Sequence, residues 1–130
     1  MASVFTKIIN GEITCYKIAE NEDFIAFLDV NPNAKGHTLV VPKKEVNKLF
    51  DLDNETYNKL FSFSKEIAIA MEKSIPCKRI GMSVIGLEVP HVHVHLIPLQ
   101  EMADITFGKK ESFTKEEMEE IARTISENLL

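Results

Sequence analysis

The run His91-Val92-His93-Val94-His95 alternates imidazole and valine side chains over five residues. Because successive side chains of an extended strand point to opposite faces, the alternation predicts three imidazoles on one face and apolar side chains on the other. The chain has four histidines in all, and three of them stand in this run. We therefore expect a strand whose valine face packs into the core and whose histidine face carries candidate functional residues.

Four more segments have the length and composition of strands, bounded by turn-forming residues. The five strands are predicted at residues 16–19, 24–28, 37–41, 80–85 and 91–99. A polar turn joins the first two strands as a hairpin, and the loop before the third contains Asn31-Pro32-Asn33 and ends at Gly36. These short connections predict a mainly antiparallel sheet.

Three segments have the three- and four-residue apolar spacing of helices. Residues 5–9 predict a short N-terminal helix that ends at Asn10-Gly11. Asp53 is a plausible N-cap for a long helix, and Thr114 with Glu117 forms the capping box of a C-terminal helix. Helices and strands are segregated along the chain, so we expect an α+β fold in a single domain covering residues 1–130.

Composition narrows the function classes. The formal charge is −5 and no dense Lys/Arg cluster is present, so we expect no nucleic-acid partner. No stretch of about 18 apolar residues is present, and the N-terminus lacks a signal pattern, so we expect no membrane association. Cys15 and Cys77 stand alone, as free thiols of a reducing compartment do. We expect a cytoplasmic protein.

Two chemistries compete for the histidine run. A zinc ion could bind two of the imidazoles, but the Cα atoms of His91 and His95 would lie about 13 Å apart in a strand, too far for one tetrahedral ion to take all three. His37, or a carboxylate such as Asp29 or Glu88, would have to complete such a site. The residues alone leave this zinc hydrolase as one alternative.

The second chemistry is nucleophilic catalysis by the central histidine. A neutral imidazole can attack phosphorus when one ring nitrogen is held as a donor and the other presents its lone pair. His91 and His95 could then donate hydrogen bonds to phosphate oxygens. The product would be a nucleotidyl group bound to His93, which water hydrolyses.

The chain is similar to the histidine triad (HIT) family, which includes nucleoside phosphoramidases and dinucleoside polyphosphate hydrolases. The similarity covers nearly the whole chain. It rests on residues 91–97, a His-x-His-x-His run followed by two apolar residues, and on residues 7–13, 27–32 and 36–44 in the family's order. It implies a HIT-like fold of about five strands with a short N-terminal, a long central and a C-terminal helix. It also implies a purine nucleotide substrate, no cofactor and a homodimer.

The resemblance assigns roles to individual residues. His93 would be the nucleophile, His91 and His95 would orient it and contact phosphate, and His37 would lie behind the triad. Asp29 would bind the ribose hydroxyls. Five apolar residues would surround the base and sugar: Phe5, Ile8, Phe27, Val30 and Leu39.

Two departures from the family pattern matter. Many bacterial relatives bind zinc at positions that here hold Ser3, Thr6 and Glu45, so we expect no metal. Leu87 replaces a phosphate-contacting Gln, and Glu88, which could protonate a leaving amine, replaces a Ser or Thr. The alternative to a hydrolase is therefore a nucleotide-binding module in which the changed loop at Leu87 has weakened the chemistry.

Overall fold

The computed structural model of the protein describes residues 2–129. Its elements follow the order α1 (Val4–Ile9), β1 (Lys17–Glu20), β2 (Phe24–Leu28), β3 (Thr38–Pro42), α2 (Asn54–Ser74), β4 (Arg79–Ser83), β5 (Val94–Leu99) and α3 (Lys115–Glu127). Two short 3-10 helices lie at Leu49–Asp51 and Met102–Ile105. The predicted α+β fold, with five strands and three helices, is confirmed.

The sheet has the order β1-β2-β3-β5-β4, and every neighbouring pair is antiparallel. The histidine-bearing strand β5 pairs with β3 in a register that sets His95 opposite Leu39 and Val94 opposite Val40. On its other side β5 pairs with β4, which lies at one edge of the sheet. The end of the histidine run therefore lies on an interior strand of the sheet.

The two faces of the sheet carry different side chains. On one face α2 and α3 pack over a large apolar cluster that includes Val92, Val94 and Leu96, all 2% exposed or less. The opposite face holds a smaller cluster of Phe5 from α1 with Ile25, Phe27, Leu39 and Val41. Burying each such apolar side chain stabilises the folded state by about 1.5–3 kcal/mol, so Val92, Val94 and Leu96 hold this segment against the large cluster. The alternating histidines point to the opposite face, toward α1.

The predicted helix starts are confirmed. Asp53 accepts a hydrogen bond from the backbone N–H of Thr56 at the start of α2. Thr114 and Glu117 form the reciprocal capping box of α3. None of the described helices is both long and apolar enough to cross a membrane.

The last strand begins three residues later than predicted, at Val94 rather than at His91. The backbone N–H of His91 donates to the carbonyl of Val89 at 2.8 Å, and that of Val92 donates to the carbonyl of Val46 at 2.8 Å. These bonds go to connecting loops and not to β3, so His91 and His93 lie in the segment that leads into the strand.

Candidate active site

His93 has a defined ring orientation. Its Nδ1 lies 2.8 Å from the backbone carbonyl oxygen of His91. Because a carbonyl can only accept, Nδ1 must carry the proton, and in the neutral ring Nε2 then holds a free lone pair. The residue is 7% exposed, and its ring and the Phe5 ring form an edge-to-face pair at a centroid distance of 4.8 Å. Burial lowers the pKa of His93, which favours the neutral form.

His91 is fully buried, and both of its ring nitrogens contact protein atoms. Its Nε2 lies 2.8 Å from the carbonyl oxygen of Pro42, and its Nδ1 lies 2.6 Å from Oγ of Ser3. No ring nitrogen is therefore left to bind a phosphate, which differs from the phosphate contact expected for this residue. The part of His91 that faces the centre of the site is its backbone carbonyl, which accepts the proton of His93.

His95 and His37 form a hydrogen-bonded pair. The backbone N–H of Asn33 donates to Nδ1 of His37 at 2.9 Å, so the neutral His37 ring carries its proton on Nε2. That Nε2–H donates to Nδ1 of His95 at 2.9 Å. His95 therefore keeps its own proton on Nε2, the remaining nitrogen. One backbone N–H thus sets the tautomers of two rings.

Burial supports the neutral state of this pair. Desolvation, and then the neighbouring His95, lower the pKa of His37 to about 3. Desolvation, followed by the charge of His93, lowers the pKa of His95 to about 4. At neutral pH both rings are therefore uncharged. Asn33 then donates to His37, and His37 donates to His95, as described above.

Asp29 lies beside this pair at the end of β2. One of its carboxylate oxygens accepts from the backbone N–H of Asn31 at 2.9 Å, and the other lies 3.6 Å from Nε2 of His37. Burial raises the pKa of Asp29, while the Asn31 hydrogen bond opposes this shift. The carboxylate thus occupies the same corner of the site as the two histidines.

Asp29, His37 and His95 bring possible ligand atoms within 4.8 Å of one another, as a metal site would. The hydrogen bonding opposes this use. Nε2 of His37 already carries a proton because its Nδ1 accepts from Asn33, and that proton is donated to His95. A metal would have to displace it and break the order of the pair.

Four of the five apolar residues assigned to the base and sugar lie together. Phe5, Phe27 and Leu39 belong to the buried cluster below the histidines, and Ile8 packs against it. Val30 is not among them and is 76% exposed, on the loop after Asp29. The structure therefore gathers these residues around the triad except for Val30.

Leu87 and Glu88 lie in the loop between β4 and the histidine run. Leu87 is 89% exposed, and its neighbour Gly86 has a positive φ of 74°. Glu88 is also exposed, and its charge acts on the pKa values of both His93 and Asp29. The loop therefore borders the site, with Glu88 close enough to influence its charges.

The segment after β5 supplies residues that the sequence did not reveal. The ring of Phe107 meets the rings of His95 and His37 edge-on, at centroid distances of 4.8 and 6.1 Å. The ammonium of Lys110 lies 5.1 Å from the Phe107 centroid and donates to the backbone carbonyl of Asn31. Residues 100–113 have no periodicity or motif, so no sequence signal indicated that Phe107 and Lys110 lie beside the histidines.

Ser3, Thr6 and Glu45 also converge on the site, around Nδ1 of His91. Glu45 accepts from the backbone N–H of Ser3 at 2.8 Å and from the Thr6 hydroxyl at 2.5 Å. These residues do not fit a zinc ion. Two are neutral hydroxyls, no thiolate is present, and the oxygens already satisfy one another by hydrogen bonds.

Residues 10–102 match the HIT domain. An uncharacterized HIT-like protein of Borreliella burgdorferi is 33% identical over 135 residues, which cover 97% of this chain and 97% of that protein. An adenosine 5'-monophosphoramidase of Schizosaccharomyces pombe is 37% identical over 100 residues, covering 75% of this chain and 74% of that enzyme.

The fold leads to the same family. The crystal structure of a HIT-like protein from Bartonella henselae, which holds an unknown ligand, matches this chain with a TM-score of 0.87 at 34% identity. The match covers 98% of this chain and 96% of that one. With the domain match and the relatives at this level of identity, the chain belongs to the HIT family.

Proposed function

We propose that the chain hydrolyses a bond to the α-phosphorus of a purine nucleotide, with His93 as the nucleophile. The observation that carries the proposal is the hydrogen bond from Nδ1–H of His93 to the carbonyl of His91, 2.8 Å long, because it leaves the Nε2 lone pair free. Membership of the HIT family and the 37% identity to a phosphoramidase support a nucleotide hydrolase.

In the first step Nε2 of His93 attacks phosphorus and a P–N bond forms. The bond from phosphorus to the leaving amine or phosphate breaks. An amine leaves with a proton that the exposed Glu88 relays from solvent, and a phosphate leaves as its anion. The Nε2–H of His95 donates to a phosphate oxygen, where fixed hydrogen-bond donors stabilise the charge of the transition state. His37 fixes the His95 tautomer that makes this donation possible.

In the second step water attacks the phosphorus. The bond from phosphorus to Nε2 of His93 breaks, the nucleoside monophosphate leaves, and the proton that the water loses passes to solvent. His93 returns to its neutral form with the proton on Nδ1. The sum is one water consumed for one leaving group and one nucleotide released.

Substrate binding follows from the neighbours of the triad. The Asp29 carboxylate can accept from both ribose hydroxyls, and the apolar cluster of Phe5, Ile8, Phe27 and Leu39 suits the face of a purine. Val30, exposed on the adjacent loop, can cover the sugar from the solvent side.

The test is release of AMP from adenosine 5'-phosphoramidate by the purified protein, with quenched samples examined for the mass of an added AMP. We expect release and a trapped adduct with the wild type, and neither with His93→Ala or His93→Gln. Circular dichroism of both variants checks that the fold is kept. AMP release by His93→Gln above a tenth of the wild-type rate contradicts the proposal.

Two outcomes would select the alternatives. Tight binding of AMP without turnover of phosphoramidates or dinucleoside polyphosphates would identify a nucleotide-binding module, for which the exposed apolar Leu87 is the supporting feature. Loss of activity with a chelator, together with stoichiometric zinc, would identify a zinc hydrolase.

We further propose that the protein forms a homodimer through the β4 edge of the sheet. Within residues 2–129, β4 pairs with a strand on one side only, and the neighbouring apolar side chains Met82 and Ile69 are 43% and 46% exposed. Light scattering after size exclusion tests this directly. A monomer mass at micromolar concentration would contradict it.

A further inference from the structure

We propose that Glu45 is a positioning residue for the nucleophile, acting through Ser3, Thr6 and His91 and without a metal ion. We call these four residues the Glu45 cluster. They connect the loop after β3, the start of α1 and the segment before β5, which are 39 to 88 residues apart along the chain. The kinetic part of this inference rests on the function proposed above.

The donors and acceptors of the cluster have one consistent order. Because Nε2 of His91 donates to the carbonyl of Pro42, Nδ1 of the neutral ring is an acceptor. The Ser3 hydroxyl therefore donates to it, at 2.6 Å. The Ser3 oxygen in turn accepts from the backbone N–H of Thr6 at 3.0 Å, so its proton and one lone pair are both committed.

Glu45 binds the backbone of Ser3 and the side chain of Thr6. One of its oxygens accepts from both the backbone N–H of Ser3 and the Thr6 hydroxyl. These two bonds, in that order of effect, lower the pKa of Glu45 to about 2, so the side chain is a carboxylate at physiological pH. Hydrogen bonds to a charged acceptor are shorter and stronger than neutral ones, so the carboxylate ties the start of α1 to the loop after β3.

The cluster reaches the nucleophile by two contacts. The backbone carbonyl of His91 accepts the Nδ1 proton of His93, which selects the reactive tautomer. Phe5, on the helix that Ser3 caps, packs edge-on against the rings of both His91 and His93. A shift of the His91 ring therefore moves the His91 carbonyl that accepts from His93. A shift of α1 moves the Phe5 ring that packs against His93.

The experiment compares Thr6→Val with Thr6→Ser, and Glu45→Ala with Glu66→Ala. Thr6→Val removes only the hydroxyl, Thr6→Ser keeps it, and Glu66 is an exposed glutamate on α2, on the other side of the sheet. The first readout is the tautomer of His93 from long-range ¹H–¹⁵N NMR of the imidazole. The second is kcat and KM for adenosine 5'-phosphoramidate, measured with and without chelator.

We expect Thr6→Val and Glu45→Ala to mix the His93 tautomers and to lower kcat about tenfold, with KM changed less than about twofold, since small misplacements of reacting groups are costly. Thr6→Ser and Glu66→Ala should match the wild type, and chelator should change nothing. A single Nδ1–H tautomer and wild-type kcat in Glu45→Ala would overturn the inference. A tautomer change in a protein that shows no hydrolysis would overturn the proposed function but leave the positioning role standing.

Discussion

Nε2 of His37 donates its proton to Nδ1 of His95 across 2.9 Å, and neither ring is more than 7% exposed. Because Asn33 occupies the other nitrogen of His37, the pair has only one neutral arrangement. This arrangement leaves Nε2–H of His95 as a donor, which contacts the phosphate in the proposed mechanism. The first prediction concerns this pair.

Replacing His37 should impair catalysis without removing the nucleophile. His37→Ala takes away the donor to Nδ1 of His95, so His95 can place its proton on either nitrogen, and we expect kcat to fall about 10–100-fold. His37→Gln can present an amide N–H in a similar position and should retain more activity. Steady-state kinetics of the two variants, with the AMP adduct still trapped on His93, checks this. Equal rates for both variants and the wild type would show that the pair has no catalytic role.

The rate should stay high below the usual pKa of histidine. Burial lowers the pKa of His93 and lowers that of His95 to about 4, so both remain neutral at pH values where a free imidazole is protonated. We expect kcat/KM to be level from pH 8 to below pH 6.5 and to fall only under more acidic conditions. A pH–rate profile measures this. An acid limb centred at or above pH 6.5 would contradict the predicted shift.

Stability should decrease as the solution is acidified. Well above pH 6.5 His37 and His95 are neutral in both the folded and the unfolded chain, and the full stability that they contribute is present. Below it the unfolded chain takes up protons that His37 and His95, with pKa values lowered to about 3 and about 4, do not bind. Each such proton reduces the free energy of unfolding by about 1.4 kcal/mol per pH unit at most, until the folded pKa is reached.

Urea denaturation from pH 7.5 to pH 4.5 measures this loss. His37→Gln cannot take up the proton on unfolding, so its stability should fall less steeply than that of the wild type over the same range. Parallel curves for the two proteins would indicate that His37 is not held neutral by burial.

Lys110 should shift the titration of the site. Its positive charge opposes protonation of His95 and lowers the pKa of Asp29, and its ammonium is held by the carbonyl of Asn31 and Oδ1 of Asn33. In Lys110→Met we expect the acid limb of kcat/KM to move to higher pH by a few tenths of a unit, an effect that salt reduces in the wild type. Lys59→Met, on the exposed side of α2, removes the same net charge. If both variants shift alike, the effect comes from net charge and not from the position of Lys110.

Local pattern was enough to predict the elements and the face of the triad. The alternation of His93 and His95 with Val92 and Val94 places the valines in the large core and the imidazoles on the other face, because side chains alternate along extended backbone. The caps at Asp53 and Thr114 were readable for the same reason, since a cap joins residues three positions apart. Such signals need no knowledge of the tertiary structure.

The start of β5 was predicted wrongly because it depends on partners from elsewhere. His91 and Val92 alternate with their neighbours as strand residues do, yet their N–H groups bond to the loop carbonyls of Val89 and Val46. Whether a segment joins a sheet depends on whether a strand or a loop of the same protein lies beside its N–H and C=O groups. The sequence pattern of the run itself carries no information on that neighbour.

The residues alone predict that the three imidazoles of the histidine run share one face, because side chains at alternate positions point to the same side of the backbone. Tertiary packing selects which nitrogen of His37, His91 and His95 carries the proton. That choice depends on an N–H of Asn33, a carbonyl of Pro42 and a hydroxyl of Ser3, of which the last lies 88 residues from His91. Hydrogen-bond direction is set by the atom that packing brings within about 3 Å, and packing joins residues that no local pattern connects.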